Sequence, residues 1–91
     1  MRFEWDEEKS RVNIRKHGFD FADAREVFSG SMLTAIDDRE DYGEDRWTGI
    51  GMLQGRVVVV VFTERWDDAI RIISLRRALA HERKQYEKFI A

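Results

Sequence analysis

The chain has 91 residues, of which 43% are hydrophobic and 37% are charged, and it has no cysteine. The length predicts a single domain over residues 1–91, with room for one core and one shallow site. The absence of cysteine excludes disulfides, thiolate metal sites and cysteine nucleophiles. The longest apolar run, Val57–Phe62, falls far short of the roughly 20 residues that span a bilayer. With no apolar signal region at the N-terminus, we expect a soluble, cytoplasmic protein without membrane contact.

Charge is distributed unevenly along the chain. The formal net charge is −2, but residues 1–45 carry an excess of acids and residues 46–91 an excess of bases. Between Arg71 and Lys84 there are five basic residues and a single acid, Glu82. Such a cluster could bind phosphates. It could equally be a solvated strand end and helix face, and charge alone leaves both interpretations open.

The N-terminal third has the pattern of two helices. Asp6 is a suitable N-cap, acids follow it in the first turn, and Gly18 is a typical C-terminal stop. Asp20 predicts the cap of a second helix, which ends at Ser29-Gly30.

The middle of the chain has the pattern of a sheet. Short strands are predicted at Met32–Ile36 and Arg46–Leu53, and Gln54-Gly55 is a two-residue hairpin signal. Because Val57–Val61 is apolar at every position, we expect it to be the central strand, covered on both faces. In the last strand, Ile70–Leu75, simple alternation places Ile70, Ile72 and Ser74 on one face and Arg71, Ile73 and Leu75 on the other.

The connections complete the predicted fold. An acidic loop spans Asp37–Asp45, a turn spans Glu64–Asp68, and a final helix begins around Arg76. An apolar stripe on that helix is predicted from its side chains Leu79, Tyr86, Phe89 and Ile90. The fold class is therefore α+β, with two N-terminal helices, an antiparallel sheet of three to four strands and a C-terminal helix.

Common catalytic patterns are missing from the sequence. The two histidines, His17 and His81, are not at metal-ligand spacing, and there is no glycine-rich phosphate loop. Gly49 and Gly51 lie within a strand pattern, where close packing is the expected reason for glycine.

The strongest chemical feature is the junction between the last strand and the final helix. Ser74, Arg76 and Arg77 meet there, backed by Glu82 and Tyr86, and arginine forks match phosphate geometry.

Each of these residues also has a structural interpretation. Glu82 could be an ion-pair partner of an arginine, and Tyr86 a core residue with its hydroxyl at the rim. His17 could simply close its helix as a C-terminal cation. The three tryptophans fit a core better than a base-stacking surface.

Taken together, these segments resemble the BrnT toxin family of bacterial type II toxin–antitoxin systems over nearly the whole chain. The motifs that carry the resemblance are Phe3-Glu4-Trp5-Asp6, Lys16-His17-Gly18, Thr63-Glu64-Arg65, Ile70-Arg71-Ile72-Ile73-Ser74, Arg76-Arg77-Ala78, Glu82 and Tyr86. The resemblance implies a RelE-like fold and a ribonuclease that cleaves RNA and inhibits translation. It also implies an antitoxin of the BrnA type, with a ribbon-helix-helix DNA-binding domain. Toxin and antitoxin would form a heterotetramer that meets DNA only through the antitoxin.

Roles for individual residues follow as hypotheses. Arg65, Arg71, Arg76 and Arg77 would form a cationic pocket that stabilises the phosphorane without a metal or other cofactor. Lys16, Ser74 and Arg83 would add phosphate contacts. His17 or Glu82 would be the general base or acid, and Tyr86 an orienting or stacking group. We expect the antitoxin to cover this basic junction.

A competing interpretation is a non-catalytic binding module or corepressor partner of a DNA-binding antitoxin. In that version the basic cluster only holds an acidic partner. Growth arrest on expression without the partner separates the two. A purely structural domain would leave the arginine junction unexplained.

Overall fold

The computed structural model describes residues 1–91 and confirms the α+β class. Its elements, in chain order, are β1 (Arg2–Glu4), α1 (Glu7–His17), a 3₁₀ turn (Phe21–Asp23), α2 (Ala24–Ser29), β2 (Leu33–Asp37), β3 (Arg46–Leu53), β4 (Arg56–Arg65), β5 (Ala69–Arg77) and α3 (Ala80–Ile90). The strands form one sheet in the order β1-β5-β4-β3-β2, so the valine strand is central as predicted. The prediction of a wholly antiparallel sheet of three to four strands was wrong. The fifth strand, β1, pairs in parallel with β5 and is only three residues long, too short to leave a pattern in the sequence.

The N-terminal helices begin and end where local capping predicts. The Asp6 carboxylate accepts the backbone N–H groups of Glu8 and Lys9, and Gly18 ends α1 in the left-handed conformation at φ 79°. Asp20 accepts the N–H of Ala22, but the turn that it caps is 3₁₀ before the chain continues as α2.

The β3–β4 hairpin turns at Gln54 and Gly55, with φ values of 51° and 78° that fit a type I′ turn. At the same end of the sheet, the prediction that the final helix starts near Arg76 was wrong. Arg76 and Arg77 still pair with Val59 and Val58 of β4, so the strand continues to Arg77 and the helix begins at Ala80.

Helices cover the two faces of the sheet unequally. On one face α1 and α2 pack against the main core, which includes Phe21, Val60 and Leu75. On the other face α3 crosses only one end of the sheet, where Tyr86 packs with Ile50 and Val59. The rest of that second face has no helix over it, and we call it the open face.

A bulge in β5 decides which side chains reach the open face. The pairing with β4 shifts between Val61 and Phe62, so Ser74 pairs with Val61 while Ile72 pairs with Phe62. The extra residue reverses the alternation expected from the sequence. Ile72 and Leu75 therefore both enter the main core. From β3, β4 and β5, seven polar side chains project to the open face or its rim: Arg46, Thr48, Thr63, Arg65, Arg71, Ser74 and Arg76.

Asn13 joins α1 to the uncovered edge of β5. Its amide nitrogen donates to the carbonyl oxygens of Phe19 and Leu75, both at 2.8 Å, and its amide oxygen accepts the N–H of Leu75 at 3.2 Å. This buried side chain thus satisfies backbone groups that a neighbouring strand would otherwise satisfy.

Close packing explains the strand glycines, as predicted. A Cβ on Gly51 would lie 2.9 Å from a methyl group of Val27, and one on Gly49 would lie 2.6 Å from the sulfur of Met32. The backbone of β3 therefore approaches α2 closely at Gly51.

Two predictions about apolar side chains were wrong. Trp5 and Trp47 pack against the core, but Trp66 sits in the β4–β5 turn with 90% of its surface exposed. Of the apolar stripe expected on α3, only Tyr86 is buried. The helix crosses the end of the sheet, so Leu79, Phe89 and Ile90 near its two ends are exposed to solvent. No helix in the chain is long and apolar enough to cross a membrane.

Candidate functional site

The open face collects cationic side chains that come from different parts of the sequence. Arg71 lies opposite Thr63 in the sheet and beside Glu4 of β1. The Glu4 carboxylate lies 3.6 Å from Arg65 and 3.8 Å from Arg71, so one acid forms ion pairs with two guanidinium groups. Ser74 follows on the same face because of the bulge, a feature that recurs next to active sites.

Arg76 forms the best-defined ion pair of the site. Its two terminal nitrogens donate to the two oxygens of Glu82, each at 2.8 Å, and Glu82 also accepts the N–H of Leu79 at 2.8 Å. The hydrogen bonds from Arg76 lower the pKa of Glu82 despite partial burial, and Glu82 raises the pKa of Arg76. An ionised carboxylate with its oxygens occupied is a weak proton acceptor. This geometry confirms the ion-pair interpretation of Glu82 and argues against the general-base role.

Two further arginines at this face were not predicted. Arg39 forms a bidentate pair with the buried carboxylate of Asp37, at 2.7 and 2.8 Å, and lowers the pKa of Asp37. The positive charge of Arg39 repels that of Arg76 and so opposes the rise in the pKa of Arg76. Arg46 lies over the ring of Tyr42 at 4.0 Å. In the sequence, Arg39 lies within the acidic loop and Arg46 directly after it, and nothing else there marks either residue as part of a site.

The hydroxyl of Thr63 and the Nε of Arg46 are buried without a hydrogen-bond partner. Arg46 precedes Trp47 in β3, and Thr63 follows Phe62 in β4. Because Trp47 pairs with Phe62, Arg46 and Thr63 are neighbours across the two strands. Buried polar groups without a partner are uncommon in proteins.

Three of the predicted site residues meet at the uncovered edge of β5. Lys16 and His17, in the last turn of α1, line a cleft of about 240 Å³ together with Ser74, Asn13 and Lys9. This position places His17 beside the strand that carries Arg71 and Arg76. It also fits the interpretation of His17 as a helix C-terminal cation.

His81 was not assigned to the site from the sequence. It lines a cavity of about 210 Å³ between α3 and the open face, with Thr48 and Glu82 among its neighbours. No motif marks this residue, and only the crossing of α3 over the sheet brings it to the groove.

Tyr86 does not occupy a position from which it could stack on a base. The side chain is buried beneath α3, and its hydroxyl donates to the carbonyl oxygen of Ser31 at 2.9 Å. The predicted orienting or stacking role was wrong because the ring is part of the core, as the alternative interpretation held.

The prediction of one pocket for Arg65, Arg71, Arg76 and Arg77 was also wrong. Successive strand side chains point to opposite faces, and Arg77 pairs with Val58, whose side chain lies in the main core. Arg77 instead lines a separate cleft with Arg83 at the end of the sheet. No group of three His, Cys, Asp or Glu side chains stands close enough to hold a metal ion.

Comparisons with known proteins bear on this arrangement. Residues 5–82 match the family model described as the ribonuclease toxin BrnT of type II toxin–antitoxin systems. The crystal structure of the Brucella abortus ribonuclease toxin BrnT is similar to this chain, with 34% sequence identity and a TM-score of 0.68. That similarity covers 87% of this chain and 97% of the Brucella chain. No curated protein gives a match. Because the family model spans most of the chain, the protein belongs to the BrnT family of ribonuclease toxins of type II toxin–antitoxin systems.

Proposed function

We propose that the open face binds RNA and cleaves it without a metal ion, so that the toxin inhibits translation in the cytoplasm. The observation that carries this proposal is the placement of Arg71, Ser74 and Arg76 on one uncovered face of one strand. Preorganised cations of this kind stabilise charge that develops in a transition state.

The proposed reaction is an internal phosphoryl transfer. The 2′-oxygen of a ribose attacks the adjacent phosphorus, the bond to the 5′-oxygen breaks, and the products are a 2′,3′-cyclic phosphate and a 5′-hydroxyl. Negative charge grows on the phosphoryl oxygens, where Arg71 and Arg76 would stabilise it. Glu82 holds the Arg76 guanidinium in a fixed orientation through two hydrogen bonds, which reduces the reorganisation needed during the reaction, and Glu4 lies 3.8 Å from Arg71. Arg65, tied to the same Glu4, would contact a neighbouring phosphate.

Two proton transfers accompany this reaction, and the chain has two histidines. His17 lies at the uncovered edge with Ser74, and His81 lies in the groove beside Glu82. We assign them as the general acid–base pair, with Lys16 and Ser74 as phosphate contacts beside His17. Each is expected to contribute about 10²–10⁴-fold to the rate.

The partner that we propose is an antitoxin of the BrnA type with a ribbon-helix-helix domain, assembled with the toxin as a heterotetramer. It would neutralise the toxin by covering the open face. The complex would bind DNA only through the antitoxin. Trp66 and Arg65, at the rim of that face, are residue types that dominate binding energy in protein interfaces. An interface confined to the acidic loop, residues 37–45, would contradict this arrangement.

Induced expression in a bacterial host tests the proposed function. Wild type should arrest growth, block incorporation of labelled methionine and degrade RNA, and Arg71→Gln should do none of these at equal protein level. Purified wild type should cleave RNA equally well in the presence of EDTA. If soluble, folded wild type causes no arrest and cleaves no RNA, the binding-module or corepressor alternative replaces the proposal.

A further inference from the structure

Three arginines converge on a cleft that is separate from the open face. The cleft has a volume of about 410 Å³ and is lined by Arg56 at the start of β4, Arg77 at the end of β5 and Arg83 on α3. The α3 positions that line it, Arg83 and Glu87, lie about 200° and about 240° around the helix from His81, at about 100° per residue. The cleft and the open face therefore lie on opposite sides of α3.

These three guanidinium groups lack partners within the protein. Seven of the other arginines lie within 4 Å of a carboxylate: Arg2, Arg11, Arg39, Arg46, Arg65, Arg71 and Arg76. Arg56, Arg77 and Arg83 form no such pair, and their side chains donate no hydrogen bond to the protein. Glu87 is the only acid among the residues that line the cleft, so the cleft carries a net positive charge of two.

We propose that this cleft binds a backbone phosphate of the RNA strand whose scissile phosphate lies on the open face. The inference rests on the proposed function and extends it by a second phosphate site. Arg76 and Arg77 are consecutive residues with side chains on opposite faces of β5. In this proposal the RNA strand runs from Arg76 on the open face around the end of β5 to Arg77 in the cleft.

The composition of the cleft favours a phosphate over a protein partner. Guanidinium forks bind phosphate oxygens in a bidentate manner, and three forks from three different elements surround one space. Protein interfaces depend on buried aromatic or aliphatic anchors, and the apolar lining here is limited to Val57 and Ala78. A polar, strongly cationic surface is typical of contacts with nucleic acid.

The expected behaviour is binding without sequence preference and without a role in bond cleavage. For single strands, the logarithm of the binding constant falls with the logarithm of salt concentration by about 0.7 for each phosphate contact. Losing the one phosphate held in this cleft should therefore make the slope shallower by about 0.7. Cleavage at saturating RNA should be preserved, because the lost contact is the same in the ground state and the transition state.

The test measures binding of a short, uncleavable 2′-O-methylated RNA oligonucleotide at several salt concentrations. The variant is Arg56→Gln/Arg83→Gln, and the matched control is Arg15→Gln/Arg25→Gln, which removes two exposed arginines of α1 and α2 that do not line the cleft. Thermal unfolding of both proteins confirms that they are folded. We expect weaker binding and a shallower slope for the first variant, and wild-type behaviour for the control. Hexaglutamate should compete poorly with the RNA.

Several outcomes would overturn the inference. One is an unchanged salt dependence of the binding constant in Arg56→Gln/Arg83→Gln. The others are an equal loss of RNA affinity in the control variant, or no binding of the oligonucleotide by wild type. Competition by hexaglutamate as effective as that of the RNA would instead assign the cleft to a protein's carboxylates. If wild type binds the oligonucleotide as expected but cleaves no RNA, the proposed catalytic function fails while the cleft remains supported.

Discussion

Glutamine in place of Glu82 is expected to destabilise the protein by about 2 kcal/mol at neutral pH. The Glu82 side chain is 15% exposed and that of Arg76 is 32% exposed. Removing one partner of a fully buried pair costs about 3–5 kcal/mol, and exposed pairs contribute no more than about 1 kcal/mol. The pair lies between these limits, and glutamine can still accept the N–H of Leu79. For a domain of this size, 2 kcal/mol lowers Tm by roughly 10 °C.

The loss of stability caused by Glu82→Gln should depend on pH. Because Arg76 lowers the pKa of Glu82, the stabilisation is present above the pKa of an unfolded glutamate, about 4.3, and is lost as pH falls through the lower pKa of the folded state. Urea denaturation at pH 7 and pH 3 measures the difference between wild type and Glu82→Gln. The difference should be clear at pH 7 and smaller at pH 3. A difference below about 0.5 kcal/mol at pH 7, or one that stays constant to pH 3, would refute the reasoning.

Catalysis separates the positioning role of Glu82 from that of a general base. If Glu82 only orients Arg76, Glu82→Gln should lower the cleavage rate and keep the acidic limb of the pH–rate profile. If Glu82 were the general base, that limb would disappear with the carboxylate. A combination with Arg76→Gln measures the coupling, since a positioning residue adds little once its partner is gone.

Three further predictions concern stability and partner binding. Asn13→Ala should cost about 2–3 kcal/mol in urea denaturation, because it leaves both backbone groups of Leu75 without a partner; a cost below 1 kcal/mol would contradict the role of Asn13 at the β5 edge. Gly51→Ala should cost about 1–3 kcal/mol and Gly49→Ala less, because Val27 is fixed on α2 whereas the Met32 thioether can move; equal losses would contradict this. Trp66→Ala should leave stability within about 0.5 kcal/mol of wild type yet weaken antitoxin binding in calorimetry, and unchanged binding would remove Trp66 from the proposed interface.

Features that depend on neighbours in the chain could be predicted from the sequence. Asp6, Gly18 and Asp20 act through hydrogen bonds or dihedral angles within a few residues, and the Gln54-Gly55 turn is likewise local. The central position of the valine strand follows from its lack of polar side chains. The strand β1 escaped prediction because its partner is β5, more than 60 residues away, and three residues hold no periodicity.

The site depends on contacts that no local pattern contains. Strict alternation separates Arg71 from Ser74, and one extra residue in β5 places both on the open face. The route of α3 then decides that Tyr86 is buried and that His81 enters the groove. The sequence did predict the chemical character of the junction, and it included the ion pair of Glu82 among the open interpretations. It could not assign Arg76 and Arg77 to different surfaces, because that requires the end of the strand to be known.

The central claim is that arginines on the open face stabilise the transition state of RNA cleavage. The most direct test is the single-turnover rate of RNA cleavage by purified wild type, Arg76→Ala and Arg15→Ala, at a temperature where all three are folded. We expect a loss of about 10²-fold or more for Arg76→Ala and a rate close to wild type for Arg15→Ala. Cleavage by folded Arg76→Ala at the wild-type rate would contradict it.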